Sequence, residues 1–388
     1  MTGGHDLVVA IPSYNCAHTV NYVVYQAAKG LSEHFPDACP LILVSDGGST
    51  DGTREVVRAM RLPFDVDVAV EEYPGVKGKG SAVRHAFVRA LEEGAKAVVM
   101  LDSDLRSVTA EWVKLLGSPY WGDYDLVAPL YVRHRFDATI TNHLAYPLTR
   151  ALYGVDLRQP IGGDFGLSAR LVEELLESPL WGTEYVPRFG IDVFITNTAL
   201  AKGYRVAQAE LGVKVHEPKD PAKHLEPMFI EVSGSQLCVA IEHAEAWLTV
   251  RGVRDTPVFR AENVWRGAQP VAVDIKRAFE KAEAALRERR EVLRRIAGDE
   301  LLRDITLSLE GKGGLHDEKW AEIVYLHLLA FRRERSKNVL KSLHACWLVK
   351  VASYLSEVVD MTDEEAEEVV RRGARAFEEK KEELVEMW

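Results

Sequence analysis

Several features are missing from this chain, and each absence excludes a class of protein. Its 388 residues contain no apolar run of about 18 residues, so the sequence predicts no membrane-spanning helix. The N-terminus is polar and soon enters a strand, so we expect no signal peptide. The cysteines form neither a CxxC pair nor a zinc spacing, which favours reduced thiols in a cytoplasmic protein. There are four of them: Cys16, Cys39, Cys238 and Cys346.

The chain also has fewer basic than acidic residues, with 48 Lys and Arg against 59 Asp and Glu. The formal net charge is -11 at pH 7, which argues against binding to nucleic acid or to an anionic membrane. An anionic substrate would therefore need a local basic patch. The length is sufficient for two domains with full cores, and the composition is that of an ordinary globular protein.

The first half of the sequence alternates short apolar segments with helical periodicity. This rhythm predicts an α/β fold with a mostly parallel sheet and right-handed crossovers. We expect strands at residues 7–11, 40–44, 66–70, 97–101, 125–131 and 205–215, and helices at 19–30, 54–60, 79–93 and 192–202.

The character of the sequence changes near residue 228, where long charged amphipathic segments begin. We expect an all-helical domain at 228–388 after an α/β domain at 1–227. Thr362 followed by three acidic residues is typical of a helix N-terminus. Trp320, Tyr325 and Trp347 belong either to the core of this domain or to a homodimer surface. Helices are expected at 272–297, 318–335, 339–358 and 363–387.

The segment VMLDSD at residues 99–104 carries the most chemical information. An apolar strand that runs into Asp102 and Asp104 places two carboxylates at the carboxyl edge of a sheet, where open α/β sheets bind ligands. Side chains alternate in an extended segment, so these two share a side and Ser103 points away. Two such oxygen ligands suit Mg²⁺ or Mn²⁺. A turn or a helix cap is the alternative reading.

Loops after other expected strands hold further candidates. Tyr14 and Asn15 follow the first strand and offer a ring and an amide to a nucleobase, unless they form a simple polar turn. Asp46 follows the second strand, and its carboxylate would accept from a base or a ribose. The segment 77–80 (KGKG) precedes a helix, where glycines and a lysine favour a phosphate. It lacks the spacing of a P-loop.

Together these motifs resemble a known family. IPSYN, VSDGGSTDGT, GKGSA and LDSD are similar in order and spacing to the nucleotide-binding half of GT-A glycosyltransferases. VRHRFDATIT, RQPIGGDFGLS, RFGIDVFIT and GVKVHEPKDP resemble the retaining enzymes that make mannosylglycerate, glucosylglycerate and glucosyl-3-phosphoglycerate. The resemblance covers about residues 6–225. It implies a GT-A fold followed by a helical domain, and a metal-dependent hexosyltransferase.

The resemblance also implies roles for individual residues on the donor side. Asp104 and His216 would bind the divalent metal, although a lone histidine is often structural. Asp102, Asp164, Asp192 and Lys79 would form the catalytic group. The donor would contact Pro12, Tyr14, Asn15, Asp46, Lys79, Asp102, Ser103 and Gly163.

Acceptor binding is assigned to Arg133, His134, Thr139, Gly162 and Asp192. An arginine clamps a carboxylate with two parallel bonds, which suits D-glycerate. A 3-phosphoglycerate acceptor would need more positive charge, from Arg150, Arg158 or Arg188. The balanced charges at residues 217–221 favour free glycerate.

The expected reaction moves glucose or mannose from a UDP, GDP or ADP sugar to the C2 hydroxyl of the acceptor, and the product would serve as a compatible solute. Asp164 and Asp192 are the candidates if a nucleophile is used. An inverting family-2 transferase is an alternative, but the chain lacks the ED dyad and the QxxRW motif. A nucleotidyltransferase would show an Arg-Lys-containing glycine-rich loop after the first strand, which is absent. A non-catalytic nucleotide-sugar-binding module would not need Asp102, Asp104 and His216 together.

Overall fold

The chain folds into two compact units. The computed structural model describes residues 4–216, 221–262, 267–268, 270–309 and 314–388. The sheet unit comprises Met1–Val132, Leu157–Asp220 and Asp255–Ala268, and the helical unit comprises Arg133–Asp156, Pro221–Arg254 and Gln269–Trp388. The domain boundary after residue 227 remains a prediction. These units assign residues 133–156, which precede that boundary, to the helical unit.

Strands and helices have the following bounds within the described residues. The strands are β1 (Leu7–Ser13), β2 (Pro40–Asp46), β3 (Asp67–Glu72), β4 (Ala97–Met100), β5 (Leu126–Val132), β6 (Val155–Asp156), β7 (Phe165–Ser168), β8 (Val206–Val213), β9 (Arg254–Asp255) and β10 (Val258–Arg260). The helices are α1 (Val20–His34), α2 (Thr53–Ala59), α3 (Lys79–Glu93), α4 (Ala110–Leu116), α5 (Tyr146–Tyr153), α6 (Ala169–Glu177), α7 (Ile191–Ala201), α8 (Pro221–Glu242), α9 (Ala244–Leu248), α10 (Ile275–Leu309), α11 (Asp317–Glu334), α12 (Lys337–Val358), α13 (Asp363–Glu379) and α14 (Lys381–Met387).

Eight strands of the described residues form one sheet in the order β10-β8-β5-β7-β4-β1-β2-β3. Every neighbouring pair is parallel except those of β7, which runs antiparallel to β4 and β5. The predicted α/β class and mostly parallel sheet are confirmed. Strand β7 was not predicted, because four residues are too short to give a periodic signal.

The register of the central strands brings their following loops together. Ser13 at the end of β1 pairs with Asp46 at the end of β2, and Ala10 pairs with Met100 at the end of β4. Alternate residues of these strands, such as Val9 and Val99, are completely buried in one apolar core. Every residue of β1 and β4 is buried, so both faces of these strands are covered, as is typical of a central parallel strand.

The region from residue 228 onward differs from its prediction at several points. It is not all-helical, because strands β9 and β10 lie within it and β10 pairs with β8 of the sheet. The expected helix at 363–387 is in fact two helices, α13 and α14, separated at Lys380. Helix α10 bends at Gly298, whose φ of 78° is not helical. The Thr362 cap is confirmed and forms a reciprocal capping box with Glu365.

Aromatic residues form the core of the helical unit. Trp320, Tyr325 and Trp347 are each at most 1% exposed, so the alternative that placed them on a dimer surface is wrong. A second cluster packs Tyr146 against Tyr354 and their aliphatic neighbours. Each helix within the described residues is too short or too polar to cross a lipid bilayer.

A buried ion pair joins three helices of this unit. Asp317 accepts from Lys350 at 2.5 Å and from Arg372 at 2.7 Å, and the side chains of Asp317 and Lys350 are only 8% and 6% exposed. Burial opposes the charge on Asp317, but the ammonium of Lys350 and the guanidinium of Arg372 outweigh it and lower its pKa. The charged carboxylate therefore stabilises α11 against α12 and α13.

We expect Asp317→Asn to lower the free energy of unfolding by about 2–4 kcal/mol at neutral pH, because it leaves Lys350 buried without its anion. Since the native pKa is depressed, the difference from wild type should hold above about pH 5 and shrink as the pH falls below about 3.9. Urea unfolding followed by circular dichroism at several pH values measures this. The same change at exposed Asp360 is the control, and a difference independent of pH would contradict the prediction.

Candidate active site

The loops that follow β1 and β2 are locked together by four hydrogen bonds. The side-chain oxygen of Asn15 accepts from the N–H of Thr50 at 2.9 Å, and the Asn15 N–H donates to the Ser49 hydroxyl at 2.8 Å. Two further bonds tie the N–H of Cys16 to Thr53 and the N–H of Ala17 to Asp51. Asn15 was predicted to bind the donor. In the structure its side-chain oxygen contacts the neighbouring loop, so the two loops are hydrogen-bonded to each other at the edge of the sheet.

Tyr14 projects from the first of these loops, and its aromatic ring is exposed. Its side chain is 57% exposed, and the ammonium of Lys77 lies 5.7 Å from its ring centre. Gly47 lies beneath it, where a Cβ atom would come within 3.3 Å of the Tyr14 ring and 3.0 Å of the Tyr73 hydroxyl. Pro12, also a predicted donor contact, is buried in β1 opposite Ser45. Of the predicted nucleoside contacts, Tyr14 is therefore the most accessible.

Asp46 occupies a different environment from the one predicted. It is 0% exposed, one carboxylate oxygen accepts from the N–H groups of Gly48 and Ser49, and the other accepts from the Ser49 hydroxyl at 2.6 Å. The expectation that this carboxylate is open to a base or a ribose is wrong for this structure. Asp46 instead orders the turn that follows β2.

The N-terminus of α3 also differs from its prediction. A Cβ atom on Gly80 would lie 1.9 Å from the carbonyl oxygen of Val186, so glycine is needed for close packing against the segment 186–188. The N–H groups of Gly80 and Ser81 donate to the carbonyls of Arg188 and Pro187 at 3.1 and 2.9 Å. These first-turn donors are occupied by the chain, so they are not the predicted phosphate cradle. Lys79 is the group that reaches the edge of the sheet.

Lys79 begins a line of alternating charges across this edge. Its ammonium lies 2.8 Å from Asp102 Oδ1 and 3.1 Å from Asp192 Oδ1. The other oxygen of Asp102 lies 2.7 Å from the ammonium of Lys214, which also lies 2.7 Å from Asp164 Oδ2. We call these five residues the charge relay, in the order Asp192–Lys79–Asp102–Lys214–Asp164. The structure therefore brings together all four predicted catalytic residues.

The members of the charge relay differ in access. The side chain of Asp102 is 21% exposed, whereas that of Asp164 is 0% exposed. Asp164 Oδ2 also accepts from the Tyr131 hydroxyl, and Oδ1 accepts from the Asp102 N–H at 2.8 Å. Asp164 therefore bonds to Asp102, Tyr131 and Lys214, and none of its side chain is exposed for contact with a sugar. This geometry argues against the predicted nucleophile role for Asp164 and leaves Asp192, whose side chain is 12% exposed, as the other candidate.

Burial and neighbouring charges shift the pKa values within the charge relay. Burial opposes the charge on Asp102, yet Lys214 and Lys79 outweigh it and hold the pKa of this carboxyl well below its usual range. Burial raises the pKa of Asp164 and Asp192, and the lysines offset this only in part. Burial would lower the pKa of Lys79, but the charges of Asp102 and Asp192 raise it. Asp102 and Lys79 are therefore both charged at neutral pH.

Gly163 lies at the centre of these charges. Its φ of 93° is a left-handed conformation, and a Cβ atom there would lie 2.5 Å from Asp102 Oδ2 and 2.9 Å from Lys214 Nζ. The carbonyl of the neighbouring Gly162 accepts from Lys214 at 2.8 Å. Position 163 in the predicted GGD turn therefore requires glycine, because a side chain there would displace the ion-paired groups of Asp102 and Lys214.

The two predicted metal ligands lie on adjacent backbone segments. Leu105, next to Asp104, forms an isolated antiparallel bridge with His216, and the N–H of Arg106 donates to the carbonyl of Val215 at 2.8 Å. Within the described residues, no group of three or more His, Cys, Asp or Glu side chains is placed to hold a metal ion. Ser103 and Asp104 lie in a turn rather than in the extended segment that was predicted, so the alternative reading of a turn is correct. The Ser103 hydroxyl, a predicted donor contact, is buried 3.0 Å from the Cys16 thiol.

Lys214 and Tyr131 were not identified from the sequence. The alternation in GVKVH did contain a signal, because Lys214 and His216 fall on the same side of an extended segment. The ammonium of Lys214 also lies 5.3 Å from the ring centre of Tyr131. A lysine two residues before a predicted metal ligand, at the end of a buried strand, was the evidence available for this site.

The predicted acceptor residues fall into both units. Gly162 and Asp192 belong to the sheet unit, and Arg133, His134 and Thr139 belong to the helical unit. In the helical unit Arg133 contacts Asp137 at 3.0 Å. The ring nitrogen Nδ1 of His134 accepts from the N–H of Phe136, and the carbonyl of Thr139 accepts from Trp347.

Two further arginines of this unit, Arg135 and Arg150, are also paired with carboxylates. Arg135 donates to Asp363 through its backbone N–H at 3.0 Å. Arg150 lies 2.7 Å from Glu378 and 3.6 Å from Asp156. The charges of Arg133, Arg135 and Arg150 are therefore largely balanced by carboxylates of the same unit. The stretch 217–220, used to compare acceptors, lies outside the described residues.

Comparison with known proteins shows a similarity to a family of glycosyltransferases over part of the chain. Residues 57–240 match the model of the mannosylglycerate synthase glycosyltransferase domain. The glycosyltransferase AglJ of Haloferax volcanii is 35% identical over 119 residues, which are 31% of this chain and 34% of AglJ. The chain thus spans about a third of this curated relative.

Solved structures of glucosyl-3-phosphoglycerate synthase from Mycobacterium tuberculosis are also similar. The complex with Mn²⁺, UDP and phosphoglyceric acid is 25% identical and aligns over 61% of this chain and 78% of that one, with a TM-score of 0.48. The complex with Mn²⁺, UDP-glucose and phosphoglyceric acid is 26% identical, with 61% and 80% coverage and a TM-score of 0.46. Over residues 57–240 the chain is therefore similar to the mannosylglycerate synthase glycosyltransferase domain, and its mostly parallel sheet fits the GT-A fold class.

Proposed function

We propose that the protein transfers a hexose, glucose or mannose, from a nucleoside diphosphate sugar to the C2 hydroxyl of D-glycerate with retention of the α configuration. The observation that carries this proposal is the accessible Asp102 carboxylate, held by two lysines beside the predicted metal ligands. A charged carboxylate at the carboxyl edge of the sheet can accept hydrogen bonds from sugar hydroxyls.

The donor would lie along the edge from Tyr14 to the charge relay. The exposed ring of Tyr14 would stack on the nucleobase, and Lys77, whose ammonium lies over that ring, would face the diphosphate. Lys79 contacts the Gly163 carbonyl at 3.5 Å, its longest contact, and a phosphate oxygen would replace this contact. Asp192 and Asp102 would accept from hydroxyls of the transferred sugar.

A divalent cation fits the residues at the end of β4. Asp104 and His216 supply a carboxylate oxygen and an imidazole nitrogen, a donor set that suits Mg²⁺ or Mn²⁺ with diphosphate oxygens in the other positions. The bridge between Leu105 and His216 keeps the two segments adjacent. The ion supplies positive charge for the leaving diphosphate when it is bound.

The charge of the arginines supports glycerate over phosphoglycerate. Arg133, Arg135 and Arg150 each face a carboxylate of the same unit, which reduces the positive charge that these three offer to a phosphate. A single carboxylate needs one guanidinium, and Arg133 would provide it by exchanging its bond to Asp137. The hydroxyl of Thr139 would complete the contacts to glycerate.

The reaction needs no protein nucleophile in this arrangement. The bond between the anomeric carbon and the phosphate oxygen breaks while a bond from the glycerate C2 oxygen forms on the same face. The proton of the C2 hydroxyl passes to the leaving phosphate oxygen. Asp164 is fully buried and paired with Lys214, so we assign it no role as a nucleophile, and Asp192, already paired with Lys79, would orient a hydroxyl.

A competition experiment tests the acceptor. The enzyme is incubated with Mg²⁺ and each of the UDP-, GDP- and ADP-linked glucose and mannose donors, together with equal concentrations of D-glycerate and 3-phosphoglycerate. Mass spectrometry of the products should show a hexosylglycerate in excess. A product formed mainly on 3-phosphoglycerate would overturn the proposed acceptor, and no transfer to either would overturn the proposed function.

We expect Arg133→Ala to raise the KM for glycerate about 10–100-fold, the loss of one charge-assisted bond of about 1.5–3 kcal/mol. The KM for the donor should change less than about threefold, because Arg133 is assigned to the acceptor alone. Steady-state kinetics with each substrate varied in turn measure both constants. Arg58→Ala, at an exposed position of α2, is the control, and equal effects on both KM values would contradict the assignment.

A further inference from the structure

Lys214 is a buried cation whose donors are all used within the site. Its ammonium lies 2.7 Å from Asp102 Oδ2, 2.7 Å from Asp164 Oδ2 and 2.8 Å from the Gly162 carbonyl. An ammonium has three N–H donors, so these three acceptors account for all of them. The side chain is only 5% exposed. Any influence of Lys214 on a ligand must therefore act through its neighbours.

We propose that Lys214 is a positioning residue of the donor-sugar site, which fixes the Asp102 carboxylate in the orientation that receives the transferred hexose. The proposal rests on the proposed function. Lys79 holds one oxygen of Asp102 at 2.8 Å and Lys214 holds the other at 2.7 Å. Each oxygen keeps a lone pair for a sugar hydroxyl, and rotation of the carboxylate would break one of the two ion pairs.

The surroundings of Lys214 fix it in turn. Asp164 lies on one side, and the ring of Tyr131 lies 5.3 Å away. Gly163 adds no side chain between Lys214 and Asp102, because a Cβ atom there would contact both. A buried, fully bonded ammonium between two carboxylates positions them more rigidly than an exposed ion pair would.

This role predicts a specific kinetic signature. Exposed Tyr14 lies in the loop that follows β1, whereas Lys214 follows β8, and three strands separate β1 from β8 in the sheet. Affinity for the nucleotide should therefore not depend on Lys214. A displaced Asp102 would misplace the anomeric carbon, and a displacement of about 1 Å costs about a hundredfold in rate. Loss of Lys214 should therefore lower kcat and leave the dissociation constant of the nucleoside diphosphate nearly unchanged.

The first test is Lys214→Met, which keeps the length of the side chain and removes its charge. With saturating donor we expect kcat to fall about a hundredfold, while the dissociation constant of UDP or GDP, measured by calorimetry with Mg²⁺, changes less than about threefold. Lys202→Met, at a half-exposed pair with Glu174, is the matched control. A kcat within threefold of wild type would overturn the proposal.

The double variant Asp164→Asn with Lys214→Met covers the case in which the single variant does not fold. It removes both charges of the buried pair, and a thermal unfolding curve verifies the fold. We expect its kcat to stay about a hundredfold low, because Asp102 is still released on one side. Recovery to wild-type kcat would show that Lys214 only neutralises Asp164 and would overturn the proposal. Wild type without transferase activity would instead reject the proposed function.

Discussion

Replacing Asp104 with alanine is expected to abolish metal-dependent transfer, with a fall in kcat/KM of about a thousandfold or more. Asp104 and His216 are the two protein groups at the predicted metal site, and the backbone bridge at Leu105 keeps their segments adjacent. Without the carboxylate, the cation and the charge that it brings to the leaving diphosphate are both lost. Titration of Mn²⁺ into the protein, followed by its paramagnetic resonance signal, measures binding independently of activity.

The control for Asp104 is an aspartate of the sheet unit that is exposed and lies outside the site. Asp123→Ala meets this description and should leave both Mn²⁺ binding and turnover within about twofold of wild type. Activity of Asp104→Ala within a few-fold of wild type at any Mn²⁺ concentration would reject the metal assignment.

Gly163→Ala is expected to lower kcat/KM about a hundredfold or more, although it adds only one methyl group. The methyl carbon would lie 2.5 Å from Asp102 Oδ2, and the φ of 93° is strained for alanine. The carboxylate must move, so the charge relay loses the geometry that receives the sugar. Steady-state kinetics and a thermal unfolding curve separate this effect from a loss of fold.

Gly182→Ala provides the matched glycine control. A Cβ atom on Gly182 would meet nothing within 4 Å, and its backbone is not left-handed. We expect its activity and stability to equal those of wild type within error. If Gly163→Ala behaves like Gly182→Ala, the site tolerates displacement of Asp102 and its proposed role is wrong.

The sheet was predictable because its signals are local. Apolar segments bounded by loops identified β1, β2 and β4, and the ends of these strands correctly indicated where Asp102 and Asp104 would lie. Strand β7 was not found because its pairing partners, β4 and β5, are distant in sequence and four residues carry little pattern.

The site was predictable as a set of residues but not as a network. The resemblance supplied Lys79, Asp102, Asp164 and Asp192, and the structure joins them through the ion pairs of Lys79 and Lys214. Which carboxylates remain open depends on burial, which the sequence does not report. Asp46 and Asp164 are of a residue type that often binds ligands, yet both are buried and their carboxylate oxygens accept hydrogen bonds from the protein itself.

The arginines of the helical unit show the same limit. Arg133 and Asp137 pair across a turn and not along a helix, so no helical spacing predicts their contact. Arg135 meets Asp363, a partner 228 residues away, and no local pattern predicts that contact. Charge counted along the sequence therefore overestimated the positive charge available to an acceptor.

The central claim is retaining, metal-dependent transfer to the C2 hydroxyl of glycerate, and nuclear magnetic resonance of the product tests it most directly. The enzyme is given D-glycerate and a UDP or GDP hexose labelled with ¹³C at the anomeric carbon, with Mn²⁺ or with EDTA. The account predicts one α-linked product whose labelled carbon couples to glycerate C2, and no product with EDTA. A β-linked product, or undiminished product with EDTA, would contradict it.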